Sequence, residues 1–181
     1  MANSHSMLFR TRQHDATVWR RFRSGTDGFT FSKADSHFEA HVAANAERVV
    51  DLFHSLSEHL PPAVDVVMED RRTGRTWEGQ AIALPDLRDA IARLKVPLAT
   101  YGGVEITAYT PEDQLSVTPD LELYAYSMTD RWGYLLQARG LEEYGQLADK
   151  PWRIGSWDRA PAPTLTDALA AAAERIGLTP V

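Results

Sequence analysis

Ser36-His37-Phe38-Glu39-Ala40-His41 places two imidazoles and a carboxylate in one short stretch. Those groups are ligands for zinc or ferrous iron. On a strand, His37, Glu39 and His41 would share a face; on a helix, only His37 and His41 would meet, four residues apart. The order is not H-E-x-x-H, which excludes the metalloprotease helix. The competing reading is a helix start, with Ser36 as N-cap and Glu39 as its capping-box partner. We adopt the cap, so no metal ligand is assigned. His5 falls in the opening residues and is left out of any site.

Other candidates for chemistry are thinner. Paired carboxylates need a fixed separation and one raised pKa. Glu105 and Glu122 could stand on neighbouring strands and Asp130 adjoins Arg131, yet the required burial cannot be read from spacing. His14-Asp15 reads as a turn, and His54 and His59 as surface residues of a helix. The chain has no Gly-x-Ser-x-Gly elbow, phosphate-binding Gly-Lys-Ser/Thr loop or dinucleotide fingerprint. No catalytic residue and no cofactor is therefore assigned.

The stretch from Val104 to Arg139 carries the strongest signal. Val104, Ile106 and Ala108 alternate with Glu105, Thr107 and Tyr109; Leu121, Leu123 and Ala125 alternate with Glu122, Tyr124 and Tyr126. Tyr134, Leu136 and Ala138 alternate with Leu135, Gln137 and Arg139, which extends the pattern to a third strand. Pro111-Glu112-Asp113-Gln114 and Thr118-Pro119-Asp120 read as an acidic loop. With helices on one side, the other face gathers Asp65, Glu69, Glu78, Gln80, Glu105, Thr107, Tyr109, Glu122, Tyr124, Tyr126, Gln137 and Arg139. Acids steer association and aromatics anchor it. Glu105, Tyr109, Glu122, Tyr124, Tyr126 and Arg139 are the assigned binding residues.

The elements that must hold this face follow from periodicity. Leu8–Arg12, Thr17–Arg23 and Phe29–Phe31 read as short strands, and Trp152–Asp158 as an edge strand. Val42, Ala46, Val49, Val50, Phe53, Leu56 and Leu60 line one face of a helix that Pro61-Pro62 ends. Val64–Glu69 and Thr76–Ile82 flank a hairpin tip, Asp70–Arg75. A second helix runs from about Pro85 to Leu94. Gly102-Gly103 reads as a turn. A last helix starts near Thr164, with Asp167 placed to cap it, and stops at Gly177.

Adjacent strands with short turns and segregated helices make an α+β domain. The expected architecture is one antiparallel sheet of about five to seven strands, with three main helices mostly on one face. Residues 1–7 read as an appended or disordered leader, and residues 8–181 as a single domain. The chain has 181 residues, 44% hydrophobic, with five Trp, which excludes a disordered chain. It has no cysteine, so disulfides and thiolate chemistry are excluded. No apolar run approaches the roughly 18 residues of a membrane span. A cytoplasmic protein with no membrane partner is expected.

Charge sorts the partners. Residues 1–24 carry Arg10, Arg12, Arg20, Arg21 and Arg23 against Asp15; the chain total is −6, so the remainder is strongly acidic. That field repels nucleic acid, although Trp132, Trp152 and Trp157 beside Arg131, Arg153 and Arg159 could stack on bases. The expected function is noncatalytic binding of a basic protein, the surface chemistry of inhibitor and immunity-type proteins. One alternative is a small-molecule site or enzyme with a pocket between the sheet and the Arg/Phe-rich start, where Arg20 or Arg21 would meet an anion. Another is a homodimer through an edge strand or the alanine-rich last helix.

Overall fold

The computed structural model describes residues 27–147 and 161–181. Its described residues form an α+β architecture, with nine strands in one sheet and four helices. The first hairpin pairs β1 (Gly28–Ala34) with β2 (His37–Ala43). Helix α1 (Ala46–Ser57) leads to a second hairpin, β3 (Ala63–Asp70) and β4 (Arg75–Ala83). Helix α2 (Leu84–Tyr101) precedes a meander of β5 (Val104–Tyr109), β6 (Asp113–Val117) and β7 (Leu123–Ser127). Helix α3 (Arg131–Ala138), the two-residue β8 (Glu142–Glu143), helix α4 (Pro163–Ile176) and the two-residue β9 (Thr179–Pro180) complete the order.

Across the sheet the strands run β8-β1-β2-β7-β6-β5-β3-β4-β9. Every pairing is antiparallel except β1 with β8, which is parallel. β7 therefore joins the two hairpin systems, pairing with β2 on one side and β6 on the other.

Strand alternation builds the core. Ala40, Val42, Ala108, Leu115, Leu123 and Ala125 are buried on the helix side. Val49, Val50, Phe53 and Leu56 of α1 and Leu87, Ile91, Leu94 and Leu98 of α2 meet them. Each fully buried side chain of this size contributes about 1.5–3 kcal/mol. α1 packs on α2, and α2 packs on α4. Asn45 caps α1, its Oδ1 accepting from the Arg48 amide at 2.9 Å. Pro85 opens α2, where no intrahelical donor is lost. Gly102 and Gly103 end α2 at φ of 56° and 77°.

Several expectations need correction. The sheet has nine strands and is mixed, because the acidic loop contains β6 and two-residue strands flank both edges. His37–Ala43 is a strand: Ala40 and Val42 alternate into the core, while the true cap, Asn45, lies further on. Residues 131–138 form a fourth helix, since Trp132 and Leu136 bury together at the four-residue helical spacing. Helix α2 passes through Pro97 to Tyr101 rather than ending at Leu94. Asp167 makes no capping bond, and Ala162 occupies the N-cap of α4. The strands expected at 8–12, 17–23 and 152–158, and the pocket built on Arg20 or Arg21, lie outside the described residues.

Candidate protein-binding face

The sheet face turned away from the helices is ordered by register into rows. One row runs Thr30, His41, Tyr124, Ser116, Thr107, Val67 and Glu78 on successive strands from β1 to β4. The next runs Ser32, Glu39, Tyr126, Gln114, Tyr109 and Asp65. With strands about 4.8 Å apart, this second row spans roughly 24 Å. From Glu39 to Asp65 it reads acid, tyrosine, amide, tyrosine, acid.

Aromatic contacts brace the rows. The His41 and Tyr124 rings stack with centroids 4.3 Å apart and planes 6° from parallel. Tyr124 and Tyr126 lie 6.4 Å apart at 12°, and His37 tilts against Tyr126 at 5.8 Å. His41 Nε2 meets Glu122 Oε2 at 3.2 Å. Gln114 Nε2 donates to Ser116 Oγ at 3.0 Å, and the Thr107 and Ser116 hydroxyls are 2.9 Å apart. Trp132 Nε1 donates to the Tyr126 carbonyl at 3.0 Å, which ties α3 to the strand that carries both tyrosines. Burial, helped by the nearby Glu39 charge, raises the Tyr126 phenol above its ordinary pKa, so it stays a neutral donor.

Five of the six assigned binding residues lie on or beside this face. Tyr124 and Tyr126 stand on β7, and Glu122 immediately precedes it. Tyr109 closes β5 with 36% of its surface exposed. Glu105 is on β5, where Arg71 bridges it at 3.0 Å. Arg139 lies elsewhere, at the end of α3. It donates to Ser55 Oγ at 2.9 Å and the Leu135 carbonyl at 3.1 Å, and pairs with Glu58 at 3.1 Å. This guanidinium clamps α3 to α1, because the segment that carries it is helical. Gln137 leaves the face for the same reason.

His37, Glu39, His41, Gln114 and Ser116 join the face unannounced. The signal was present for the first three, since they alternate with Phe38, Ala40 and Val42. Among the described residues no three His, Asp or Glu side chains converge to hold a metal. Two of the hairpin-tip arginines are also committed: Arg71 pairs with Glu69 and Glu105, and Arg72 donates to the Tyr101 and Gly102 carbonyls at the end of α2.

Electrostatics elsewhere follow from packing. Partial burial, then the Arg139 cation, lowers the His59 pKa; partial burial, then Arg88, lowers that of His54. Arg131 pairs with the buried Asp113 at 2.9 Å and covers the Trp132 ring at 4.6 Å. No helix is long and apolar enough to cross a membrane among the described residues. No family model, curated protein or solved structure matches the chain.

Proposed function

We propose that this chain is a noncatalytic binding protein of the inhibitor or immunity type, whose outer sheet face engages a positively charged protein. The row Glu39–Tyr126–Gln114–Tyr109–Asp65 carries the reading. Tyrosines on a rigid sheet lose little conformational entropy on binding and offer both a ring and a hydroxyl. Flanking carboxylates accelerate encounter with a basic surface. Tyr126 and Tyr109 are the anchors in this proposal, and Glu39 and Asp65 the steering charges. Tyr124 and Glu122 hold His41 between them and stiffen the platform from inside.

The test is affinity capture from native lysate with the intact chain and with a Tyr109→Ala/Tyr126→Ala variant. A basic protein retained by the first is then purified and its dissociation rate measured on both. Loss of two anchors raises that rate by at least about tenfold. An unchanged dissociation rate, or capture only of acidic proteins, would refute the reading.

A further inference from the structure

On the opposite side of the sheet, β1, only partly covered by the short edge strand β8, opens onto a cleft that the outer face does not use. β1 pairs with β2 along its whole length, but β8 covers only Gly28 and Phe29. The Tyr144 amide donates to the Phe29 carbonyl at 2.8 Å, so the backbone groups of Phe29 point away from β2. Alternation then points the N–H and C=O groups of Phe31 and Lys33 the same way. Among the described residues no strand pairs with that stretch. Such a row of outward donors and acceptors is a template for one more strand.

Beside it, Phe31, Asp130, Gly133, Tyr134, Gln137 and Glu143 line a cleft of about 240 Å³. The Phe31 ring packs near Gly133 of α3, and Tyr134 is 66% exposed above. Gln137 Nε2 donates to Glu143 Oε2 at 3.2 Å, which leaves the amide oxygen and both carboxylates as acceptors. Two aromatic walls and two carboxylates suit one long cationic side chain, through cation–π contact and charged hydrogen bonds. Lys33 does not fill this role, because its ammonium lies over the neighbouring Phe38 ring at 5.5 Å.

We infer that the Phe31–Lys33 edge of β1 receives an extended segment of another protein, which adds a strand to the sheet and places a lysine or arginine in the adjacent cleft. Charge selects a foreign basic segment over a second copy of this chain. Two copies paired edge to edge would bring Lys33 toward Lys33 and carboxylate toward carboxylate. This site is separate from the outer face and stands without it.

The test titrates the ¹⁵N-labelled full chain with Ac-Thr-Val-Thr-Arg-Thr-Val-Thr-NH₂ and with the same peptide bearing Glu for Arg. The arginine peptide produces saturable amide shifts at Phe31, Lys33, Tyr134 and Gln137, and the glutamate peptide does not. Asp130→Asn/Glu143→Gln weakens that binding by about tenfold, the effect of losing a charged hydrogen bond. Lys33→Pro abolishes it while the fold persists, since the lost N–H faces outward, and Lys33→Ala retains it. Equal response to both peptides, or no response at these residues, overturns the inference. Shifts confined to Tyr109, Gln114 and Tyr126 also overturn it, and would favour the outer face instead. Concentration-dependent shifts at Phe31 and Lys33 without peptide would assign the edge to a second copy and overturn it as well.

Discussion

Glu69 and Glu105 face each other directly across β3 and β5, and one guanidinium, that of Arg71, holds both, at 3.1 and 3.0 Å. Like charges at opposed strand positions are destabilising. Arg71 turns the repulsive pair into a three-member network at the hairpin tip. Arg71→Ala leaves the two carboxylates facing each other, with a loss of roughly 0.5–1 kcal/mol because the site is largely exposed. Its stability will rise with added salt more steeply than that of the parent chain in urea unfolding between low and high ionic strength. Equal salt slopes would show that the two acids do not feel each other.

Arg139→Ala removes the clamp between α3 and α1. Several hydrogen bonds disappear, including those to Ser55 and the Leu135 carbonyl, and stability falls by about 1–3 kcal/mol. The His59 pKa rises, because the cation 3.2 Å from its Nε2 is gone. Imidazole proton shifts followed by NMR give the second result independently of the first. An unmoved His59 would mean that Arg139 is not among the charges that set its titration.

Acidification weakens the fold before the carboxylates titrate. His54 and His59 have folded pKa values below the ordinary 6.5, with burial the first cause in both. The unfolded chain therefore takes up protons first as pH falls. The stability that these residues provide is complete above pH 6.5 and declines as pH drops toward their folded values. The charges around them are Arg88, Asp51, Glu58 and Lys95 for His54, and Arg139, Glu58, Arg131 and Arg88 for His59. Thermal unfolding at pH 7.5, 6.5 and 5.5 measures the decline, and His54→Gln/His59→Gln flattens it. A profile identical in the double variant would remove the histidines as its source.

Gly103→Ala disturbs two things together. The residue has φ of 77°, and a methyl group there would collide with the Arg72 Nη1. Backbone strain alone costs roughly 1–2 kcal/mol. Displacing Arg72 from the Tyr101 and Gly102 carbonyls adds the loss of a helix-end cap. Gly140→Ala is the control, with the same φ and nothing within 4 Å of the added carbon. The Gly103 variant unfolds at the lower urea concentration; equal midpoints would leave Arg72 without a capping role.

Local pattern carried the sequence reading where neighbouring segments decide the structure. The β3–β4 hairpin, the outward alternation of β5 and β7 and the end of α4 at Gly177 were all legible. Ser36 and Glu39 imitate a capping box, so β2 read as a helix start and its histidines were separated from the tyrosines that they touch. Tyr134, Leu136 and Ala138 alternate as a strand would, while Trp132 and Leu136 satisfy a helix; only the core under Trp132 decides between them. Gln114 and Ser116 were hidden in a stretch bounded by prolines. The placing of β7 between β2 and β6 is a tertiary fact that no local period encodes.

That placing also has a kinetic side. Phe38 pairs with Ser127, so two hairpin strands, two helices and most of the meander must be looped out before β2 finds its neighbour. Contacts of such sequence separation close late, because loop entropy is lost before the pairing compensates for it. The two hairpins and the first helices can form earlier from local contacts. The His41–Tyr124 stack sits across a seam that closes late, so a nascent chain lacks the platform until the ribosome has released β7.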